Sequence, residues 1–395
     1  MKIVFFTFYY PPDLCAGSFR SIALVDALSK RINKNNELHI ITTHPNRYEN
    51  YRVKVDDFEA HENIFVHRIS VPNHKGGMFS QAFTFLSYAR ASFKLSKKIN
   101  PDFLIGTTSR LMTGILTGIV AHRLGCNYFI DLRDIFSESI SDIFHKKSKF
   151  LSIFFKKTFF FLEQRLLSKA SGVNVVSEGF FEYFQSESID TTNWTFFPNG
   201  VDKEFINLNF NHRKSRENTK TILYAGNIGI GQGIDTILPG VAKRIGIKYH
   251  FLVIGAGASS SKLINVIKGR NINNVEILSP VKREELFDFY KNADILFLHL
   301  NNFPAFKRVL PSKIFEYTVL KKPIVAGLEG YSTKFIQDNI PHAITFKSGD
   351  VDGCVDAIKK AECFQKKDID TYAFIQKYSR EKIMKKMAEH IFSLL

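Results

Sequence analysis

The chain has 395 residues, which is too long for one ordinary hydrophobic core and favours two domains. Its hydrophobic content of 45% and charged content of 23% exclude an intrinsically disordered chain. The formal net charge of +16 indicates an anionic partner, which would be nucleic acid, an anionic membrane surface or a polyphosphate ligand.

Short motifs exclude several other classes of protein. The four cysteines have no CxxC or metal-ligand spacing, so they are interpreted as reduced cytosolic thiols, and the 12 histidines form no HExxH-type zinc motif. The apolar start of the chain ends early in Pro-Pro-Asp, which favours a buried first strand over a signal peptide. No window of about 18 apolar residues predicts a membrane-spanning helix.

The first half of the chain alternates between predicted strands and helices. A strand over residues 2–9 is followed by a glycine-containing loop and a helix from Ser18, on which Val25, Leu28 and Ile32 share one face. Further strands are predicted at residues 38–43, 103–106, 128–132 and 173–177, with a helix at 111–124. This alternation predicts βαβ units and a parallel sheet.

A second alternating series follows the turn Pro198-Asn199-Gly200 and a polar connection over residues 203–220. Its strands are predicted at residues 221–225, 249–254, 295–298 and 324–326, and a last helix at 380–395. Two such series predict an α/β protein with two Rossmann-like, doubly wound domains that face a central cleft. Ligands of such sheets bind at the carboxyl ends of the strands.

Glycine-containing loops follow three predicted strands and are candidate phosphate sites, because backbone N–H groups and helix N-termini bind anions. They contain Gly17, the segment YAGNIGIGQG at 224–233, and the pair Gly255 and Gly257. Each loop alone is a weak signal, since glycine after a strand is usually turn chemistry. No complete GxGxxG motif with a following acid and no Walker motif is present, which disfavours nicotinamide and P-loop sites.

The segment PSKIFEY at 311–317 carries the sharpest chemical signal. Pro311 and Ser312 begin a predicted helix whose first N–H groups would point outwards. Lys313 in the first turn opposes the helix dipole unless an anion binds there, and Glu316 follows one turn later on the same face, where a carboxylate would accept hydrogen bonds from a ribose diol. The alternative is a surface Lys313–Glu316 pair, which contributes roughly a few tenths of a kcal/mol.

Six ordered blocks resemble the family 4 glycosyltransferases, and most closely the amino-sugar transferases of bacterial O-antigen and capsule assembly, such as N-acetylfucosamine transferases. The blocks are YYPPDLCAGSFR at 9–20, FIDLRDIFSES at 129–139, FPNGVD at 197–202, YAGNIGIGQG at 224–233, FYKNADILFLHL at 289–300 and PAFKRVLPSKIFEY at 304–317. The resemblance implies the GT-B fold and a retaining transferase that uses a nucleotide sugar, with UDP favoured, and needs no metal or other cofactor. It implies an acceptor-binding domain at 1–202, a nucleotide-sugar-binding domain at 203–378, and a C-terminal helix at 379–395 that packs back toward the first domain.

The resemblance also implies a donor-binding site that comprises Gly17, Gly226, Asn227, Gln232, Gly255, Gly257, Val281, Pro311, Ser312, Lys313, Ile314 and Glu316. In it, Glu316 would bind the ribose and the start of PSKIFEY would hold the diphosphate. Gly17 would approach the donor phosphate from the N-terminal domain. Val281 and the loop 255–257 would lie near the base.

Two departures from the family pattern change the predicted chemistry. Arg308 stands where the first glutamate of the family's Glu-x7-Glu motif belongs, and Asn227 and Gln232 stand where many members bind the diphosphate with an arginine and a lysine. A diphosphate leaving group still needs positive charge where negative charge develops. We therefore hypothesise that Arg308 and Lys313 stabilise the departing nucleotide.

The block FIDLRD supplies two further catalytic candidates, Arg133 and Asp134, which by the resemblance face the reacting sugar. Asp131 and Asp134 form no obvious acid–base pair, so no general base is assigned. The alternative role for Asp134 is an N-cap for a helix in the residues that follow.

Residues 145–169 hold seven basic residues and one acid, and seven phenylalanines lie between Phe144 and Phe161. This mixture is typical of a helix that lies on anionic lipid, and residues 78–93 are a candidate second lipid-facing element. The alternative is that the phenylalanines form the core of the first domain. A lipid-diphosphate acceptor at the inner face of the plasma membrane would explain both segments, and it predicts a cytoplasmic, peripherally membrane-associated enzyme.

The sequence therefore predicts a transferase that moves a sugar, interpreted as an N-acetylated amino sugar, from UDP to a lipid-linked saccharide in O-antigen, capsule or lipopolysaccharide synthesis. A UDP-sugar 2-epimerase-like isomerase of the same fold is the main alternative. No zinc finger, RNP-like or helix-turn-helix pattern supports nucleic acid as the partner.

Overall fold

The computed structural model describes residues 1–46, 53–72, 78–108, 110–135, 137–138, 149–206, 219–364 and 369–395. The chain forms two compact units, of which the first is Met1–Asn199 together with Arg380–Leu395 and the second is Gly200–Ser379. The boundaries predicted from the sequence lie after residues 202 and 378. Most of the predicted polar connection and the start of the basic segment 145–169 lie outside the described residues.

The first unit is built on one sheet. Its strands are β1 (Lys2–Phe6), β2 (Glu37–Thr43), β3 (Phe58–His61), β4 (Ile64–Ile69), β5 (Phe103–Thr107), β6 (Asn127–Leu132), β7 (Gly172–Val175) and β8 (Trp194–Phe196). Over the described ranges they form an eight-stranded sheet in the order β3-β4-β2-β1-β5-β6-β7-β8. Neighbouring strands are parallel, except that β3 and β4 are antiparallel.

Helices cover both faces of this sheet. They are α1 (Ala16–Ser29), α2 (Met78–Ile99), α3 (Leu111–Leu124), α4 (Lys149–Leu167), α5 (Gly179–Ser186) and the C-terminal helix α14 (Arg380–Ser393). A Cβ on Gly106 would lie 2.2 Å from Thr117 of α3, and a Cβ on Gly172 would lie 2.7 Å from Leu394, just after α14. Gly106 pairs with Ile130 and Gly172 pairs with Phe129, so the two glycines face opposite sides of the sheet. The inner strands are apolar along their length because both faces are covered.

The second unit contains a parallel sheet of its own. Its strands are β9 (Lys220–Ala225), β10 (Tyr249–Ile254), β11 (Val275–Leu278), β12 (Ile295–His299), β13 (Ile324–Gly327) and β14 (Ala343–Phe346). In the described part of this unit the order is β11-β10-β9-β12-β13-β14, and every neighbouring pair is parallel.

The helices of the second unit alternate with these strands. They are α6 (Lys203–Ile206), α7 (Ile234–Ile245), α8 (Ser260–Gly269), α9 (Arg283–Asn292), a 3-10 helix (Pro304–Lys307), α10 (Ser312–Val319), α11 (Tyr331–Asn339), α12 (Val351–Ala361) and α13 (Tyr372–Tyr378). Both units are thus parallel α/β domains, as the sequence predicts. No helix within the described ranges is both long enough and apolar enough to cross a lipid bilayer.

Candidate active site

The second sheet reverses its winding at one point, which is where ligands of doubly wound folds bind. From β9 the chain moves outward through β10 to β11, and then returns to β12 on the other side of β9. The loops after β9 and β12 therefore leave the same edge of the sheet. They hold the glycine segment 226–233 and the segment 300–311 that leads into α10. The predicted donor residues of this unit lie along that edge.

The loops after β9 and β10 approach each other so closely that only glycine fits at their points of contact. Gly255 has a φ of 157°, and a Cβ on it would lie 1.8 Å from the carbonyl oxygen of Gly226. A Cβ on Gly257 would lie 2.5 Å from the carbonyl oxygen of Ile228. The Ile228 N–H donates to the carbonyl of Ala256 at 3.0 Å, which joins the two loops. The glycines predicted as phosphate sites therefore serve this packing.

The side chains that replace the family's two cations are hydrogen-bonded to each other. Asn227 Nδ2 donates to Gln232 Oε1 at 2.8 Å, and the Tyr224 hydroxyl donates to the Asn227 carbonyl at 2.6 Å. His299 Nδ1 donates to the Gln232 carbonyl at 2.6 Å, while its Nε2 accepts from Gly349 N–H at 3.0 Å. Burial lowers the pKa of His299, so the ring stays neutral in this arrangement. His299, which the sequence did not identify, holds the glycine loop in place.

The segment after β12 packs directly on the glycine loop. The backbone N–H of Asn301 donates to Gly231 at 2.8 Å and its side chain donates to Ile230 at 3.1 Å. A Cβ on Gly231 would lie 2.7 Å from Phe306 in the 3-10 helix. Arg308 follows this helix, is half-buried, and donates from its guanidinium to the Pro304 carbonyl at 3.2 Å. The structure therefore places Arg308 in the same cluster of loops as the glycine segment.

Helix α10 begins where the sequence predicts it. Pro311 is its N-cap residue, and no side chain of the described residues caps this end. The N-terminus thus has the open amide groups and positive dipole end that bind a phosphate. Ser312 and Lys313 are half-buried, whereas Ile314 is buried, so the Ile314 side chain belongs to the core.

Lys313 and Glu316 form the pair that their spacing predicts. Lys313 Nζ donates to Glu316 Oε2 at 2.8 Å and to the Tyr290 hydroxyl at 3.1 Å. The Lys313 side chain is 26% exposed and that of Glu316 is 8% exposed, so this is more than a surface pair. Burial acts to lower the pKa of Lys313, but the Glu316 carboxylate and the nearby Tyr317 together raise that pKa above its ordinary value. Lys313 therefore carries its positive charge beside a largely buried carboxylate.

A second cation lies near Glu316. Arg283, the first residue of α9, is paired with Asp202 and lies 3.7 Å from Glu204, and its guanidinium lies 5.1 Å from the centroid of the Phe205 ring. Burial acts to lower the pKa of Arg283, but Asp202 and Glu316 raise it above its ordinary value. Val281, predicted near the base, is half-buried in the connection from β11 to α9, two residues before Arg283.

The remaining predicted site residues belong to the first unit. Gly17 is buried in the first turn of α1, and Arg133 follows β6 and donates to the Ala16 carbonyl at 3.4 Å. The backbone N–H of Arg133 donates to the Thr108 hydroxyl at 2.9 Å. Burial and the nearby Arg20 lower the pKa of Arg133 below its ordinary value. Gly17 and Arg133 are therefore neighbours at the carboxyl edge of the first sheet.

The two acids of FIDLRD have different surroundings. Asp131 is buried in β6 and accepts two bonds of 2.8 Å from Arg20 and one of 2.7 Å from Asn174. Arg20 also donates to the carbonyls of Pro198 and Phe197, so this pair fixes the FPNG turn. Asp131 is therefore a structural residue.

Asp134 lies beyond the end of β6 and reaches solvent. Partial desolvation nevertheless raises the pKa of its carboxyl group to about 6, and the adjacent Arg133 offsets only part of that rise. A carboxyl group with this pKa exchanges protons near neutral pH, which is what general acid–base catalysis needs. The possible N-cap role of Asp134 concerns residues that lie in part outside the described ranges. In those ranges, no group of three or more His, Cys, Asp or Glu side chains is arranged to hold a metal ion.

Known proteins are similar to this chain both in sequence and in fold. Residues 206–381 match the family model described as Glycosyl transferases group 1. Over 352 residues, the chain is 21% identical to the putative colanic acid biosynthesis glycosyl transferase WcaI of Escherichia coli K12, with 84% of each chain covered.

Solved glycosyltransferase structures superpose on the whole chain. Sucrose-phosphate synthase from Thermosynechococcus elongatus has a TM-score of 0.72 at 15% identity, with 100% of this chain and 99% of that chain covered. Anabaena HepE, solved in complex with UDP and glucose, has a TM-score of 0.68 at 14% identity, with 100% of both chains covered. These structures confirm the predicted GT-B fold. Residues 206–381, which make up most of the second unit, therefore resemble the group 1 glycosyltransferases.

Proposed function

We propose that this protein is a retaining glycosyltransferase that moves a sugar from UDP to a lipid-linked saccharide during synthesis of a surface polysaccharide. The donor sugar is an N-acetylated amino sugar. The observation that carries the proposal is the cluster at the winding reversal of the second sheet, where a close-packed glycine loop, an uncapped helix N-terminus and Glu316 lie along one edge.

Each part of this cluster matches one part of a nucleotide sugar. The N-terminus of α10 and the glycine loop after β9 supply backbone N–H groups for a diphosphate. Glu316 supplies a carboxylate that accepts hydrogen bonds from the two hydroxyl groups of a ribose. Val281 and the loop 255–257 are the residues proposed to contact the base. HepE, which shares this fold, binds UDP and UDP-glucose, and this supports UDP as the nucleotide.

The departing UDP gains negative charge as the bond to the sugar breaks, and cations near the diphosphate stabilise that charge. In this chain, Lys313 and Arg308 are the proposed cations, because amides occupy the positions of the two cations in many relatives. Lys313 is protonated and half-buried, and Arg308 lies in the loop cluster beside the 3-10 helix. This arrangement needs no metal ion.

Arg133 and Asp134 are the proposed catalytic residues of the first unit. Desolvation raises the pKa of Asp134 to about 6, and the adjacent Arg133 donates to the Ala16 carbonyl at the start of α1. One relative supports the place of this reaction in the cell, since WcaI is named for colanic acid biosynthesis. We propose that the protein acts in the cytoplasm, at the inner face of the plasma membrane.

The proposal is tested by incubating membranes that contain the enzyme with a panel of labelled UDP sugars and then counting label in the lipid fraction. We expect label from one UDP-N-acetylamino sugar, and the same anomeric configuration in donor and product by NMR. Release or 2-epimerisation of the sugar without any acceptor would instead support the epimerase-like alternative. An inverted product would contradict retention.

A further inference from the structure

Helices α2, α3 and α4 lie side by side on one face of the first sheet. α2 packs against α3, and α3 packs against α4. The second contact is close, since a Cβ on Gly118 of α3 would lie 2.9 Å from Leu166 of α4. Their inner faces are fixed to the core. On α2, for example, Tyr88 packs against the Phe8 ring at 5.2 Å and donates to the Ile41 carbonyl at 2.8 Å.

The outer faces of these three helices carry large apolar side chains in solvent. These side chains are between 51% and 78% exposed, and they are Phe83, Leu86, Ile119, Phe150, Ile153, Phe154 and Phe161. The phenylalanines of the predicted lipid-facing segments are therefore divided. Phe85, for example, is buried and stacks on Phe8, whereas Phe150 and Phe154 point outwards. Many exposed apolar side chains on neighbouring helices usually mark a binding face.

Positive charge accompanies the apolar side chains, and exposed negative charge is absent from the described parts of these helices. The exposed cations are Arg90, Lys94, Lys97, Lys98, Arg123, Lys157 and Arg165. α2 and α3 contain no Asp or Glu, and Glu163, the acid of α4, is fully buried. We call the seven apolar and seven basic side chains the three-helix face.

We propose that the three-helix face docks on the surface of an anionic lipid bilayer. Apolar side chains beside cations suit the interface, where the rings enter the acyl boundary and the cations meet acidic headgroups. A second copy of the chain would bring like charges together, which opposes pairing through this face. The inference rests on the proposed function, since it brings the enzyme to a lipid-linked acceptor.

The face also has a direction. Helices that follow strands of a parallel sheet begin at the carboxyl edge of that sheet, and Phe83 and Phe154 lie in the first halves of α2 and α4. On α2 the cations Lys94, Lys97 and Lys98 follow towards the other end. The carboxyl edge, which also holds Arg133, is therefore the edge of this unit that enters the bilayer surface.

Vesicle flotation without any substrate tests the docking. We compare vesicles of phosphatidylcholine with vesicles that also contain phosphatidylglycerol. The pair Phe154→Ser and Phe161→Ser should reduce partitioning about tenfold or more, because each ring buries apolar area. The double variant Lys157→Glu and Arg165→Glu should likewise reduce partitioning onto the anionic vesicles. Each cation contributes roughly 1 kcal/mol to binding there, which corresponds to about a fivefold change in partitioning.

Matched controls lie in the second unit. Ile247 is 85% exposed and Lys248 is its exposed neighbour. Ile247→Ser and Lys248→Glu therefore remove an exposed apolar side chain and reverse an exposed charge outside the three-helix face. These controls should bind vesicles like the wild type. Equal binding by the face variants and the wild type would overturn the proposal. Transfer to a detergent-solubilised acceptor should stay near wild type in the face variants. Loss of vesicle binding with that transfer intact therefore separates this inference from the proposed function.

Brominated lipids test the direction of the face. Trp194, the single native tryptophan, lies on β8 outside the face and gives a constant background. Fluorescence of a Phe154→Trp variant should be quenched by lipids brominated on the acyl chain, and that of a Lys98→Trp variant should change little. The opposite pattern would overturn the proposed orientation.

Discussion

Two ion pairs, one in each unit, show how the same chemistry serves structure in one place and a proposed ligand site in another. Arg20 and Asp131 are each 1% exposed, and every contact they make is with the first unit itself. Lys313 and Glu316 belong to a single helix, and Lys313 is 26% exposed at the helix N-terminus. The first pair is buried, whereas the second leaves Lys313 partly exposed at the proposed phosphate site.

The difference follows from where each partner comes from. Arg20 and Asp131 are 111 residues apart, so their pair ties α1, β6 and the FPNG turn together and forms only in the folded unit. Lys313 and Glu316 are three residues apart, and such a pair adds little to stability by itself. Mutations should therefore separate the two pairs, with the first affecting folding and the second affecting donor binding and turnover.

The largest effect is expected from Asp131→Ala. It leaves the buried Arg20 guanidinium without its carboxylate, so the free energy of unfolding should fall by about 3–5 kcal/mol. Urea unfolding followed by circular dichroism measures this. Asp134→Ala, three residues away at an exposed position, is the control and should change stability by less than about 0.5 kcal/mol. Equal losses in the two variants would contradict the buried-pair interpretation.

Arg308→Ala and Lys313→Met should mainly slow turnover. If each cation stabilises the departing UDP, kcat should fall by about 10²–10³, the usual cost of losing one such group. Single-turnover assays at saturating donor measure this without the binding step. Lys307→Met, an exposed neighbour paired with Glu329, is the control. Turnover near wild type in both variants would remove these residues from the mechanism.

Glu316→Gln should weaken donor binding more than it changes the fold. The amide keeps the shape but loses the charged acceptor for the ribose hydroxyls, so affinity for UDP should fall about ten- to a hundredfold. Isothermal titration with UDP alone measures this. Glu329→Gln serves as the matched control, because Glu329 lies after β13 rather than on α10. Unchanged UDP affinity in Glu316→Gln would assign the ribose to another residue.

Local patterns in the sequence predict the two sheets and the candidate donor residues, but they miss strands that lack a continuous apolar run. β3 is largely exposed, and β11 and β14 are mostly half-buried, so none of them shows a core-like run. The glycine loops and PSKIFEY were predicted because their signal is local. Tyr290 and His299 were missed because their contacts with Lys313 and Gln232 join residues 23 and 67 positions apart.

The smallest expected effect is on the pH dependence of stability. Burial acts to raise the pKa of Asp131, but Arg20 outweighs it, and the pKa in the folded unit lies below its ordinary value. The pair therefore contributes its full stability above the ordinary aspartate pKa of about 4. That stability is lost as the pH falls from there through the lower folded pKa, by at most about 1.4 kcal/mol per pH unit for one proton. Urea midpoints between neutral and acid pH measure this slope, with Asp131→Asn as the control that should flatten it. A variant as acid-sensitive as the wild type would assign the slope to other carboxyl groups.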